Sequence, residues 1–303
     1  MSVAALCVGH ASYDISTLVA DYPAEDSKCE VQTLLEAGGG PAANAAYLLA
    51  RWGVPTALAA LVGDDRYGWQ IVRELEQAGV DASRVEVRPN HVTPVSIIVV
   101  NTKSGSRTII NRKAPQQELA PSPERFAGLR PRAMLFDGHE PEASLAALAA
   151  MPGARTVLDA GSLRPGTTAL AGKVEFLVAS ERFARQVTGE ADLSAPESQR
   201  RCVADLRRRY GNTVVVTLGR RGLVMDDGAG FRAMPAFSAV AVDTTGAGDI
   251  FHGAFVFGLL EGMGLWDTLR LASMAAAISV GREGGRLSTP SLADVREALA
   301  NAG

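Results

Sequence analysis

The chain alternates short apolar runs with longer segments whose apolar positions recur at helical spacing. Val3 to Val8, ended by Gly9, and Thr56 to Val62 have the pattern of buried strands. From residue 133 the alternation becomes regular. "AMLF", "TVLD", "VEFLV" and "TVVVTL" read as strands, separated by helical segments near 141–150, 181–188 and 195–210. Earlier, Gly38–Gly39–Gly40–Pro41 breaks the chain. Behind it Ala43, Ala46, Tyr47 and Ala50 recur at helical spacing, with Pro41 suited to the first turn. Tyr67 to Ala78 is a further helix. "LVMDD" and "GFRAMP" read as a β-meander, and helices at about 247–261, 266–281 and 291–301 follow. Short strands alternating with helices predict an α/β fold with a mostly parallel sheet covered on both faces.

Two regions do not fit that alternation. Ile15–Ala20 and Cys29–Leu35 flank the polar turn "DYPAEDSK", and Val92–Val100 and Arg107–Asn111 flank "NTKSGS". They predict a small β-sheet lid, formed by about 11–36 and 90–111, on a single domain spanning 1–303. Lid strands with an open edge predict pairing between subunits, hence a homodimer.

Composition narrows the function classes. The net charge of −3 and pI near 5.9 give no global pull toward nucleic acid or an anionic membrane. No stretch approaches the ~18 apolar residues of a membrane helix, and the N-terminus lacks the basic start of a signal peptide. Cys7, Cys29 and Cys202 are far apart, odd in number and without zinc spacing. They read as reduced thiols of a cytoplasmic protein.

The chemistry concentrates in "VDTTGAGDIF", residues 242 to 251, directly before the apolar run "FHGAFVFGLL". Such a run predicts a buried helix whose first amides have no intrahelical partner. Gly246 and Gly248 permit a tight turn and close approach of a ligand. A phosphate or developing oxyanion satisfies those amides. Asp249 then lies beside the anion and can take the proton of an attacking hydroxyl, which is what phosphoryl transfer needs. The bland alternative is a helix cap on an ordinary turn. The P-loop, the dinucleotide fingerprint, H-E-x-x-H and G-x-S-x-G are all absent from the sequence.

"DTTGAGDIFHGAF" closely resembles the C-terminal signature of the ribokinase-like (PfkB) carbohydrate kinases. "GGGPAANAA" resembles their N-terminal signature and "VGDDRYG" an element after it, in the family's order. The resemblance covers essentially the whole chain. It implies a central mostly parallel sheet between helices with a β-sheet lid over the sugar, and ATP with magnesium as cofactors. It implies Asp249 as catalytic base, and Gly246, Ala247 and Gly248 as the anion hole. Asp14, Gly39, Gly40 and Asn44 would bind the sugar. "VTLGRRGL" resembles the nucleotide-side loop, placing Thr217, Gly219 and Gly222 near ATP together with Thr244. "AAAISVGREGG" resembles the segment flanking adenine and, in many members, a monovalent-cation site, with Ala276 and Gly285 as candidates. The family's N-x-x-E element is altered to "SERFARQVTG", with Ser180 and Phe183 at its Asn and Glu positions. Glu181 and Asp243 are then the candidates for metal.

Details of the signatures resemble the ketose-type branch, with fructokinase-like and sulfofructose kinases. Lys28 and Asn111 match sulfonate-binding positions of the latter, while His139 stands where an arginine is expected. Histidine lacks the planar guanidinium fork, so a neutral ketose stays open. Arg107 either reaches the substrate or flanks a lid turn. Lys28 is alternatively a solvated charge, and His252 packs behind Asp249. Two other readings remain: a nucleoside kinase of the same fold, and a non-catalytic sugar or nucleotide sensor.

Overall fold

The computed structural model describes residues 3–113 and 118–302. In chain order the strands are β1 (Ala5–Val8), β2 (Ser12–Val19), β3 (Leu35–Gly39), β4 (Thr56–Gly63), β5 (Val80–Arg88), β6 (Val95–Asn101), β7 (Arg107–Arg112), β8 (Ala133–Phe136), β9 (Arg155–Ala160), β10 (Phe176–Ser180), β11 (Thr213–Thr217), β12 (Leu223–Asp226) and β13 (Phe231–Met234). The helices are α1 (Pro41–Arg51), α2 (Arg66–Gln77), α3 (Pro141–Ala150), α4 (Pro165–Ala171), α5 (Glu181–Thr188), α6 (Pro196–Tyr210), α7 (Ala247–Leu260), α8 (Leu265–Ser279) and α9 (Leu292–Asn301).

Nine strands form the main sheet in the order β13-β12-β11-β10-β9-β8-β1-β4-β5. All neighbours are parallel except at β11–β12 and β12–β13. Buried strand residues alternate between two cores. Cys7, Leu58, Leu135 and Val178 face α1, α7 and α8, whereas Leu6, Phe136, Leu158 and Leu177 face α3 to α6. Such two-sided burial is why these strands read as continuous apolar runs. From β1 the chain winds first toward β4 and later toward β8. The switch of direction therefore lies between β1 and β8, and ligands of open α/β sheets bind outside the carboxyl ends at such a point.

A second sheet, β3-β2-β6-β7, stands apart from the first. Its register aligns Ala37, Asp14, Ser96 and Asn111 in one row across four strands, so their side chains share a face. The hairpin between β6 and β7 touches the loop before α7, where Thr244 Oγ1 donates to the Gly105 carbonyl at 3.0 Å.

The structure corrects the sequence at several places. Cys29–Leu35 is not a strand. Pairing with β2 begins at Leu35 and runs through Gly38 and Gly39, which the sequence presents as a break. The glycines are needed there by close approach: a Cβ on Gly38 would lie 1.9 Å from Arg286 Nη1, and one on Gly39 2.0 Å from Asp14 Oδ2. Strand β5 and helix α4 have no counterpart in the sequence pattern. β5 ("VDASRVEVR") is an edge strand studded with charges, and α4 opens on Pro-Gly and lasts two turns.

Candidate active site

Helix α7 is buried from Ile250 to Leu260. Gly246 precedes it at φ 74°, a left-handed conformation that favours glycine, and turns the chain into the helix. The Ile250 amide donates to the Gly246 carbonyl at 2.9 Å, and the Ala247 amide makes only a long 3.4 Å contact with Thr244 O. Among the described residues, no backbone carbonyl outside the helix accepts from the amides of Gly248 and Asp249. A Cβ on Gly248 would meet nothing within 4 Å. Two amide donors at the positive end of a helix dipole are therefore left without a backbone acceptor, and Gly248 is exposed.

Asp249 stands in this first turn. Its Oδ2 accepts from Asn44 Nδ2 at 2.7 Å. Withdrawal from water and the nearby Asp159 push its carboxyl up to about 7, opposed by the Asn44 hydrogen bond. Asp159, at the end of β9, is itself pushed up to about 8 by burial and by Asp137. The His252 Nδ1–H donates to the Gly248 carbonyl at 2.6 Å and lies 3.2 Å from Asp159 Oδ2; burial keeps the ring neutral. His252 thus braces the first turn from behind.

Asn44 is oriented from its other end. Its Oδ1 accepts from Arg286 Nε at 3.1 Å. The Arg286 guanidinium, only 3% exposed, also donates to Glu74 Oε2 at 3.3 Å and Gly39 O at 3.4 Å. Glu74 in turn accepts from the Gly38 amide at 2.7 Å. A buried chain of contacts therefore runs from α2 through Arg286 and Asn44 to Asp249. Asp14 faces the same region, hydrogen-bonded by Ser12 Oγ at 3.2 Å and by Ser96, with burial raising its carboxyl. Gly40, at φ 94°, starts α1 where a Cβ would strike the His10 carbonyl.

At the carboxyl ends of β10 and β11 opens a cavity of about 680 Å³, lined in part by Ser180, Glu181, Gln186, Thr217 and Gly219. Gly222 does not line it. Gly222 turns the chain at φ 92° into β12, where a Cβ would collide with Met234 O. Ala276 packs on the core from α8, and Gly285 abuts Gly246, whose Cβ would lie 3.1 Å from it. Arg107 Nη1 donates to Thr244 Oγ1 at 2.8 Å, and its charge lowers the Asp249 carboxyl. Arg107 therefore stands on the Asp249 side of the small sheet.

Several candidates are placed otherwise. Lys28 lies in an exposed stretch outside any strand, and among the described residues no hydrogen bond or ion pair brings it to Asp14. His139 does not stand alone in an arginine's place: its ring stacks on His10 at 4.3 Å and meets Arg164. Glu181 is engaged by Arg221 at 2.5 Å. Asp243 is buried and accepts from the amides of Thr245 (2.8 Å) and Gly284 (3.0 Å). Neither carboxylate fits a magnesium ligand of its own, and no cluster of three His, Cys, Asp or Glu suited to a metal occurs among the described residues. Asp159, Arg286, Glu74, His10 and Arg164 were missed from the sequence. His10, His139 and Arg164 each lie just past a strand's carboxyl end, which is the signal that points to them.

Free amides at a helix start, an oriented carboxylate beside them and a cavity along the same sheet edge define a phosphoryl-transfer enzyme of α/β architecture. The pfkB carbohydrate kinase family model matches residues 4–292, and the chain belongs to that family. It is 27% identical to the ribokinase of Haemophilus influenzae, over 87% of this chain and 88% of that one. It is 29% identical to an ATP-dependent ribose-1-phosphate kinase of Halopiger xanaduensis, over 94% of both. The structure of Arabidopsis thaliana ribokinase complexed with ribose and ATP superposes with a TM-score of 0.83, at 25% identity and 99% coverage of both chains. The fold is ribokinase-like. Among the described residues no helix is long and apolar enough to cross a membrane.

Proposed function

We propose that this carbohydrate kinase transfers the γ-phosphoryl group of ATP, carried with magnesium, to a primary hydroxyl of a pentose- or ketose-type sugar in the cytoplasm. The observation that carries the reading is the juxtaposition of Asp249, held by Asn44 at 2.7 Å, with the acceptor-free amides of Gly248 and Asp249. Asp14, Asn44 and the Gly39–Gly40 turn form the sugar floor. A carboxylate and an amide suit vicinal hydroxyls, each of which offers a donor and an acceptor. ATP lies along β10 and β11, its tail toward α7.

Asp249 accepts the proton of the sugar hydroxyl as that oxygen bonds to the γ-phosphorus. The bond from phosphorus to the bridging oxygen breaks and ADP leaves. The amides hold charge on the migrating group, and Arg107 adds a cation on the same side. A carboxyl near 7 is basic enough to take a proton and is about half ionised at neutral pH. The small sheet acts as a lid that excludes water during transfer. Magnesium would be held by the nucleotide's phosphates and water. A monovalent cation would fit Asp243 and Thr245, whose buried hydroxyl has no partner among the described residues, and would place positive charge behind the anion loop.

On the outer face of the small sheet, Ile97 and Ile110 are paired and exposed. They support a homodimer through the lid. The decisive experiment is a coupled ADP-release assay over a panel of pentoses and ketoses. Sugar-dependent release well above ATP hydrolysis is expected. Sugar binding without ADP release would leave a sensor and remove the kinase reading.

A further inference from the structure

Beyond Asp249, a second cluster gathers at the switch of sheet direction. His10 follows β1, His139 follows β8 and Arg164 follows β9, so three neighbouring strands deliver them to one edge. From above comes Lys113, just past β7. Alternation along that strand puts it on the face of Asn111, hence of Asp14. The imidazoles of His10 and His139 stack at 4.3 Å with an interplanar angle of 14°.

The charges of this cluster do not balance internally. Asp137 is the carboxylate at its base, and its oxygens are spent on backbone amides: His10 N at 2.8 Å, Ala42 N at 3.1 Å and His139 N at 2.9 Å. The Arg164 guanidinium meets the His139 ring and donates to Ser162 Oγ at 2.7 Å, while its buried Nε has no partner. Among the described residues no carboxylate hydrogen-bonds Arg164, and the Lys113 ammonium has no hydrogen bond. Both imidazoles are neutral, because burial and the two cations depress them, His139 to about 2. Burial and Arg164 also depress Lys113. Arg164 is half-buried with an unspent donor, Lys113 is exposed above it, and the two charges disfavour each other; an anion joining them relieves that repulsion and satisfies the donor.

Resting on the sugar-kinase reading for the identity of the pocket, we infer that its substrate is an anionic sugar. The carboxylate, sulfonate or phosphate of that sugar lies between Lys113 and Arg164, against the stacked His10 and His139. The hydroxyl to be phosphorylated then points to Asp249 at the opposite end. The neutral imidazoles supply a flat wall and an N–H donor without adding charge. Arg164 supplies the geometric fork and Lys113 a point charge.

The test compares matched pairs by calorimetry on the intact protein: ribose with ribose 1-phosphate, fructose with 6-deoxy-6-sulfofructose, and galactose with galacturonate. In at least one pair the anionic member is expected to bind tenfold or more tighter. Arg164→Met and Lys113→Met should each cut that preference by about 10- to 100-fold, the worth of a charge-assisted hydrogen bond. Arg164→Lys, which keeps the charge, should retain part of it and controls for loss of fold, together with the melting temperature. Equal binding within every pair, including none by either member, overturns the inference, as does a preference that survives both Met substitutions. Preferential binding without ADP release upholds the anion pocket and removes the kinase reading, so the two fail separately.

Discussion

Asp249→Asn exchanges the proposed base for a neutral isostere that can still accept from Asn44. In the wild-type protein the folded state holds this carboxyl at about 7 against an ordinary 3.8. The folded protein therefore binds its proton more tightly than the unfolded chain between those two values. Stability contributed by the protonated form is complete below pH 3.8 and is lost as pH rises through 7. Between pH 5 and pH 8 the loss is on the order of 3 kcal/mol, at about 1.4 kcal/mol per tenfold change in proton affinity. The asparagine variant escapes this loss. For a chain of 303 residues, about 3 kcal/mol corresponds to roughly 5 °C in melting temperature. Calorimetric scans of both proteins at pH 5 and pH 8 should show the variant's advantage growing by about that amount. Turnover should fall by about 10² to 10⁴-fold, the range for a general base. In the wild type kcat/KM should rise with pH through about 7. A stability difference that ignores pH, or a variant that keeps near-normal turnover, would refute the environment and the role assigned to Asp249.

Two further substitutions probe the supports of the site. Arg286→Met removes the donor to Asn44 Oδ1 and the cation beside Glu74, which keeps only the Gly38 amide and Gln70; a loss of about 3 kcal/mol is expected from breaking a buried ion pair. It should also lower kcat more than it raises the sugar KM, because Asn44 no longer aims Asp249. A variant with unchanged melting temperature and kcat would show the contact chain to be incidental. Gly39→Ala drives a methyl toward Asp14 Oδ2, 2.0 Å from the ideal Cβ position. The sugar KM should rise tenfold or more while the ATP KM stays put, and equal shifts in both would place Asp14 elsewhere than the sugar floor.

What the sequence shows plainly is whatever local physics decides. The alternation after residue 133 yields the strands and helices of the main sheet because both faces are covered. "VDTTGAGDIF" announces the helix start because turn, free amides and carboxylate are contiguous. The contacts that orient the site are long-range. Arg286 reaches Asn44 across 242 positions, and His10 meets His139 only once β1 and β8 are neighbours. Arg164 looks like a loop charge until β9 places it beside them. Conversely, a strand that needs glycine for the sake of its neighbours, as β3 does, is indistinguishable from a turn when read alone.

The burial of α7 along nearly its whole length has a consequence for timing. A cradle of amides on a loose loop would have to be ordered anew in every catalytic cycle, at an entropic cost to each turnover. Here the ordering is completed once, when the polypeptide folds. On the proposed reading the floor of the reaction chamber is a fixture of the fold, and the motion that admits sugar and releases product falls to the strands above it.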